Sequence, residues 1–101
     1  MEQVAFPVEV VAEFRFGARC ASDPQQRLAE VDALVRTASV IPADLGTAQA
    51  YAGLRTRLRA SGTPLQENDV SIAATCLQHN LTLLTLDGHF QHVEGLSVRG
   101  E

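Results

Sequence analysis

Residues 66–90 read QENDVSIAATCLQHNLTLLTLDGHF. The spacing predicts a helix from about Asn68 to His79, then a buried strand over Leu81 to Thr85. Acids stand at both far ends: Asp69 where the helix begins and Asp87 just past the strand. A helix of roughly ten residues advances about 15 Å, and a strand of about five residues returns about 16 Å. If the strand packs antiparallel to the helix, the chain comes back to its starting height. Asp69 and Asp87 are then expected at one edge of a sheet, as a pair of carboxylates suited to a cation. Each also has an ordinary reading. An acid in a first helical turn is favoured by the helix dipole, and Asp87-Gly88 is common turn chemistry.

The rest of the chain supplies further elements in a regular order. Val4-Ala5-Phe6 reads as a short strand, with Pro7 at the first position of a helix running to about Arg19. Val10, Val11 and Phe14 share one face of that helix, Glu9 and Glu13 share another, and Arg15 or Arg19 is expected to pair with Glu13. Gly17 marks either close packing or an early helix end. Asp23-Pro24-Gln25-Gln26 is a helix-start signal, followed by the stripe Leu28, Val31, Leu34 and Val35. Ser39-Val40-Ile41 reads as a strand. Asp44 opens the next helix, with Leu45, Ala48, Tyr51, Ala52, Leu54 and Leu58 as its apolar side and Arg55, Arg57 and Arg59 in its last turns. Asn68 is a candidate cap for the helix that carries Asp69. After Asp87-Gly88, a loop or single turn leads to a last strand, Leu96 to Arg99. Strands alternating with helices imply an α/β fold with a mostly parallel sheet covered by helices. In such sheets ligands sit outside the carboxyl ends of the strands, which is where Asp87 falls.

The bulk composition narrows the options. The chain has 101 residues, enough for a single domain, with 46% hydrophobic and 20% charged residues. The net charge of −4 argues against a domain held to nucleic acid mainly by its own basic surface. It is compatible with an enzyme on nucleic acid whose acids hold a metal. Two cysteines, Cys20 and Cys76, are too few for a disulfide framework, and Cys76 sits among apolar residues as a small core residue. The N-terminus lacks the pattern of a secretory signal and no apolar run reaches membrane-spanning length, so a cytoplasmic protein is expected. His79, His89 and His92 have no zinc-ligand spacing. Neither a glycine-rich phosphate loop nor a Ser-His-Asp or Cys-His arrangement stands out. The arginines from Arg55 to Arg59 read as a solvated helix end or as an RNA contact.

Three segments carry a resemblance: VVAEFRFGAR (Val10 to Arg19), PLQENDVSIAAT (Pro64 to Thr75) and LTLLTLDGHFQHVEGLSV (Leu81 to Val98). In order and spacing they resemble the latter two-thirds of a PIN domain, in particular the VapC-type toxin ribonucleases of toxin–antitoxin pairs. The resemblance implies a PIN-like three-layer fold. It also matches Glu13 to the family's helix glutamate, Asp69 to the aspartate before I-A-A, and Asp87 to the acid after the T-x-D-like strand end. Such acids bind Mg²⁺ or Mn²⁺ and hydrolyse RNA phosphodiesters in the family, with an antitoxin as protein partner. The family's usual first strand, with its early aspartate, has no counterpart here. A sheet lacking that strand is expected to self-associate as a dimer or larger. Two functions follow from the resemblance. One is a metal-dependent endoribonuclease using Glu13, Asp69 and Asp87. The other is a truncated, non-catalytic PIN remnant that binds an antitoxin. A chain whose true start lies earlier would favour the first.

Overall fold

A computed structural model of the chain describes residues 5–84, 90 and 93–99. The described elements are β1 (Ala5–Pro7), α1 (Val8–Arg19), α2 (Pro24–Arg36), β2 (Ser39–Ile41), α3 (Leu45–Ala60), α4 (Glu67–His79), β3 (Leu83–Leu84) and β4 (Val98–Arg99). They fall into two compact units, Met1–Pro42 and Ala43–Glu101. Among the described residues each unit holds one parallel strand pair. Ala5, Phe6 and Pro7 face Ser39, Val40 and Ile41, and Leu83 and Leu84 face Val98 and Arg99. Helices with parallel pairing are the α/β class that the order of elements implies. Val4, Thr85, Asp87, His89 and His92 lie outside the described residues.

In the first unit Pro7 is the last residue of β1 rather than the first of α1. Its ψ of 143° is extended, so the helix starts at Val8 without a side-chain cap. Gly17 does not end α1, which continues to Arg19, and a Cβ on it would meet nothing within 4 Å. Close packing is therefore not its role. α2 begins as expected: Pro24 takes the first turn and the Gln26 N–H donates to Asp23 Oδ1 at 3.2 Å. α1 and α2 pack together. The Arg15 guanidinium bridges to the Asp32 carboxylate across them, with both side chains nearly half exposed. A pair so exposed contributes at most about 1 kcal/mol. Phe6 meets Phe14 edge to face, with ring centroids 5.6 Å apart. The expected stripe of α2 is only partly covered: Leu28, Val31 and Val35 are half-buried and Leu34 is 46% exposed.

In the second unit α3 opens with a reciprocal cap. The Thr47 N–H donates to Asp44 Oδ1 at 3.1 Å and the Asp44 N–H donates to Thr47 Oγ1 at 3.0 Å. Gln78, at the far end of α4, locks this turn. Its Nε2 donates to Asp44 Oδ1 at 2.7 Å and its Oε1 accepts from the Thr47 hydroxyl at 2.5 Å. A Cβ on Gly46 would lie 2.5 Å from Gln78 Nε2, so a larger residue there would push that amide out of its bonds to Asp44 and Thr47. The Gln78 amide and the Thr47 N–H hold the Asp44 carboxyl below its ordinary value, against a smaller opposing effect of desolvation.

Both α3 and α4 stop with paired bonds around a left-handed residue. At Gly62 (φ 72°), the Thr63 N–H donates to Leu58 O at 3.0 Å and the Gly62 N–H to Arg59 O at 3.2 Å. At Asn80 (φ 57°), the Leu81 N–H donates to Cys76 O at 2.8 Å and the Asn80 N–H to Leu77 O at 3.4 Å. Leu81 is thus spent closing α4, and the expected strand begins at Leu83 instead. At the other end α4 starts at Glu67 after Gln66, so Asn68 sits inside the first turn and is not the cap.

The core of this unit is Leu54 and Leu58 from α3 with Val70, Ile72, Ala73, Ala74, Thr75 and Cys76 from α4. Phe90 and Val93 are also buried. The apolar side expected for α3 is partly corrected: Ala48 and Ala52 are exposed and Leu45 is 74% exposed. Thr47, bonded to Gln78, sets the rotation of α3, and Leu54 and Leu58 recur on its side of the helix.

Two outcomes follow for urea and acid titrations. Leu54→Ala removes a fully buried side chain and is expected to cost about 3 kcal/mol, whereas Leu45→Ala is expected to stay within about 0.5 kcal/mol. The depressed Asp44 carboxyl stabilises the fold above its ordinary value near 3.8, and that stabilisation is lost as pH falls through the lower folded value. Asp44→Asn is therefore expected to flatten the acid limb of stability against pH below about 4, read by circular dichroism.

Candidate functional site

Glu13 stands in the middle of α1 in the first unit. It borders an open cleft of about 520 Å³ between α1 and α2, lined also by Phe14, Gly17, Ala18, Arg27 and Leu34. The lining is mainly apolar, and Ala18 is its most buried member at 2% exposure. Arg15, one of the two arginines expected beside Glu13, pairs with Asp32 instead.

Asp69 stands in the second unit, in the first turn of α4. It is half-buried, and its side chain makes no hydrogen bond or ion pair with any described residue. The next residue, Val70, is 1% exposed and anchors this turn in the core. The Asp69 carboxylate is thus held by a rigid helix end rather than by a partner among the described residues. Asp87, the third expected acid, lies outside the described residues. Among the described residues no three His, Cys, Asp or Glu side chains gather closely enough to hold a metal ion. Glu13 and Asp69 belong to separate units, and their convergence with Asp87 is part of the proposal below.

A further cluster lies at the same end of α4 and escaped the sequence reading as a unit. Arg55 Nη1 donates to the Tyr51 hydroxyl at 3.0 Å, its guanidinium carbon lies 5.9 Å from the Tyr51 ring centroid, and Nη2 reaches Glu67 Oε1 at 3.5 Å. The four-residue spacing of Tyr51 and Arg55 on one helix face is the signal that could have linked them.

The donor set offered by Glu13, Asp69 and Asp87 is all carboxylate oxygen. That set suits hard divalent cations such as Mg²⁺ or Mn²⁺.

Comparison with known proteins agrees with this fold. The PIN domain family matches over residues 1–96. Ribonuclease VapC5 of Mycobacterium tuberculosis is 33% identical over 97 residues, covering 93% of this chain and 71% of the relative. Among solved structures, VapBC-5 from Mycobacterium tuberculosis, a member of the VapBC family of toxin-antitoxin systems, is similar with a TM-score of 0.79 at 33% identity, covering 96% of this chain and 79% of the other. VapBC2 from Rickettsia felis, solved on a DNA fragment from its promoter, has a TM-score of 0.89 at 24% identity, covering 97% of this chain and 74% of the other, and supports the fold alone. The chain belongs to the PIN domain family.

Gly17 offers a direct check on the cleft beside Glu13. With open space at its Cβ position, Gly17→Ala is expected to raise stability by about 0.5–1 kcal/mol in thermal or urea unfolding, through helix propensity alone.

Proposed function

We propose that this chain is a single-domain, metal-dependent endoribonuclease, the toxin of a VapBC-type toxin–antitoxin pair acting on RNA in the cytoplasm. The observation that carries this reading is the 33% identity to a named ribonuclease over 93% of the chain. The half-buried Asp69, held without a partner among the described residues, supports it, because a metal ligand must be ionised and available.

Glu13, Asp69 and Asp87 hold Mg²⁺ or Mn²⁺ in this reading. The bound cation supplies a water of lowered pKa and offsets charge on the phosphoryl group in the transition state. Asp69 serves as a carboxylate ligand on a fixed helix end, so little reorganisation accompanies binding. Glu13 serves from α1, beside a largely apolar cleft. That cleft, with the exposed edges of Phe14 and Leu34, suits an antitoxin segment bearing apolar side chains. Exposed Val8, Phe16 and Val40 on the same unit favour self-association. Among the described residues no helix is long and apolar enough to cross a membrane.

The test is cleavage of single-stranded RNA by the purified chain. Activity is expected to need Mg²⁺ or Mn²⁺ and to vanish with EDTA. Asp69→Asn and Glu13→Gln are each expected to lower the rate by about 10²-fold or more, and to weaken Mn²⁺ binding in calorimetry. No cleavage, or cleavage indifferent to Asp69→Asn, defeats the proposal. A chain that captures an antitoxin but neither binds metal nor cleaves RNA is the non-catalytic binding module instead.

A further inference from the structure

The charge of this protein is unevenly placed. The chain carries 8 basic and 12 acidic residues. α3 holds three of the arginines, Arg55, Arg57 and Arg59, and no acid. The remainder therefore has 5 arginines against 12 acids, a net charge of −7, while α3 alone is +3. The helix dipole accounts for Arg57 and Arg59, which lie in the last turn. Arg55 lies before that turn, where the dipole effect has faded.

We infer that Arg55 and Arg59 form a phosphate-binding edge that guides single-stranded RNA to the end of α4 bearing Asp69; this rests on the ribonuclease reading above. Position is the first argument. α3 and α4 pack together, and the contact of Arg55 with Glu67 puts the arginine-bearing part of α3 beside the first turn of α4. Arg55 and Arg59 are four residues apart and share a face, about 6 Å from each other at the helix surface. That is close to the step between successive phosphates on a stretched strand. Arg57 points to another side, about 200° around the helix from Arg55. Leu54 and Leu58, each one residue before the paired arginines, are buried, so the edge runs along the margin of a rigid seam.

Preorganisation is the second argument. Tyr51 restrains the Arg55 guanidinium from one side. The side chain is nonetheless 56% exposed, and its partner Glu67 is 77% exposed at 3.5 Å. Such a surface pair is weak, so a phosphate can take its place. A guanidinium fork binds phosphate through two parallel hydrogen bonds, and the neighbouring Tyr51 is an aromatic ring of the kind that stacks with bases. The phenol ring favours RNA over an acidic peptide as the occupant.

The experiment is fluorescence anisotropy of the full chain with a labelled single-stranded oligouridylate, in EDTA so that the RNA stays intact, across a KCl series. Arg55→Gln and Arg59→Gln are each expected to weaken binding about tenfold. Each is also expected to reduce the slope of log affinity against log salt by about 0.7. Arg57→Gln is expected to change neither, and Arg55→Lys to keep the salt slope. A purely structural role for these arginines does not move the slope. Wild-type affinity and slope in both glutamine variants, with an unchanged circular dichroism spectrum, overturns the inference while leaving the ribonuclease reading intact. Failure of the wild type to bind the RNA overturns the inference, and the ribonuclease reading then rests on the metal-dependent cleavage assay above. Loss of binding to polyglutamate with oligouridylate binding unchanged assigns the edge to an acidic protein and overturns the inference. Should Arg55→Gln not fold, Arg59→Gln decides, because its side chain bonds to no described residue.

Discussion

The burial of α4 is the constraint on which the second unit depends. From Ile72 to Cys76 five successive residues are buried, so the middle of the helix is enclosed on every side. Enclosure of this kind demands small side chains, and Ala73, Ala74, Thr75 and Cys76 supply them. It also demands that polar atoms be satisfied locally. The Thr75 hydroxyl, on a residue with no exposed surface, donates to Ser71 O at 3.0 Å within its own helix. With the middle fixed, the two ends do different things. Gln78, near the C-terminal end, pins the start of α3 through Asp44 and Thr47. Asp69, at the N-terminal end, projects from a turn that Val70 anchors. If Asp69 is a cation ligand, as proposed, it gains from such an anchor, since its position is set by the core and not by a counter-charge that the cation would have to displace.

Much of this was legible in the sequence where a local rule and the packing agree. Asp23-Pro24 starts α2, Asp44 starts α3, and the helical period from Asn68 to His79 is the body of α4. The failures cluster at element ends and at contacts between distant residues. Pro7 fits a helix start and a strand end equally well by propensity; its pairing with Ile41 decides, and pairing is not local information. Leu81 looks like the first residue of an apolar strand, but its N–H closes α4 over the left-handed Asn80. Leu45 was expected inside because it is apolar, whereas Thr47 is buried because Gln78, 31 residues away, binds its hydroxyl. No reading of α3 alone contains that fact.

The candidate site divides in the same way. The type and rough place of Asp69 follow from the helix signal, and its half-buried, unpartnered state among the described residues does not. Glu13 was placed on α1 by the helical period, but the cleft beside it exists only because α2 folds back against α1. Arg15 shows the limit of neighbour rules: a glutamate lies two residues before it, yet its partner is Asp32 on the next helix.

A metal site built of acids, as proposed above, raises a physical problem for an enzyme acting on RNA. In the proposed reading three carboxylates come together; they would repel one another and a phosphate strand, and a net charge of −4 adds to the long-range repulsion. A bound divalent cation reverses the sign at the centre but reaches little beyond the Debye length of about 8 Å at physiological salt. RNA lying further from the metal therefore needs its own counter-charge on the protein. Within the described residues the one helix free of acids and rich in arginine is α3, and its arginines begin beside the very turn that carries Asp69. Segregating acids to the proposed metal site and arginines to α3 would let the protein attract the cation and the strand separately. An even mixture of the same charges would weaken both.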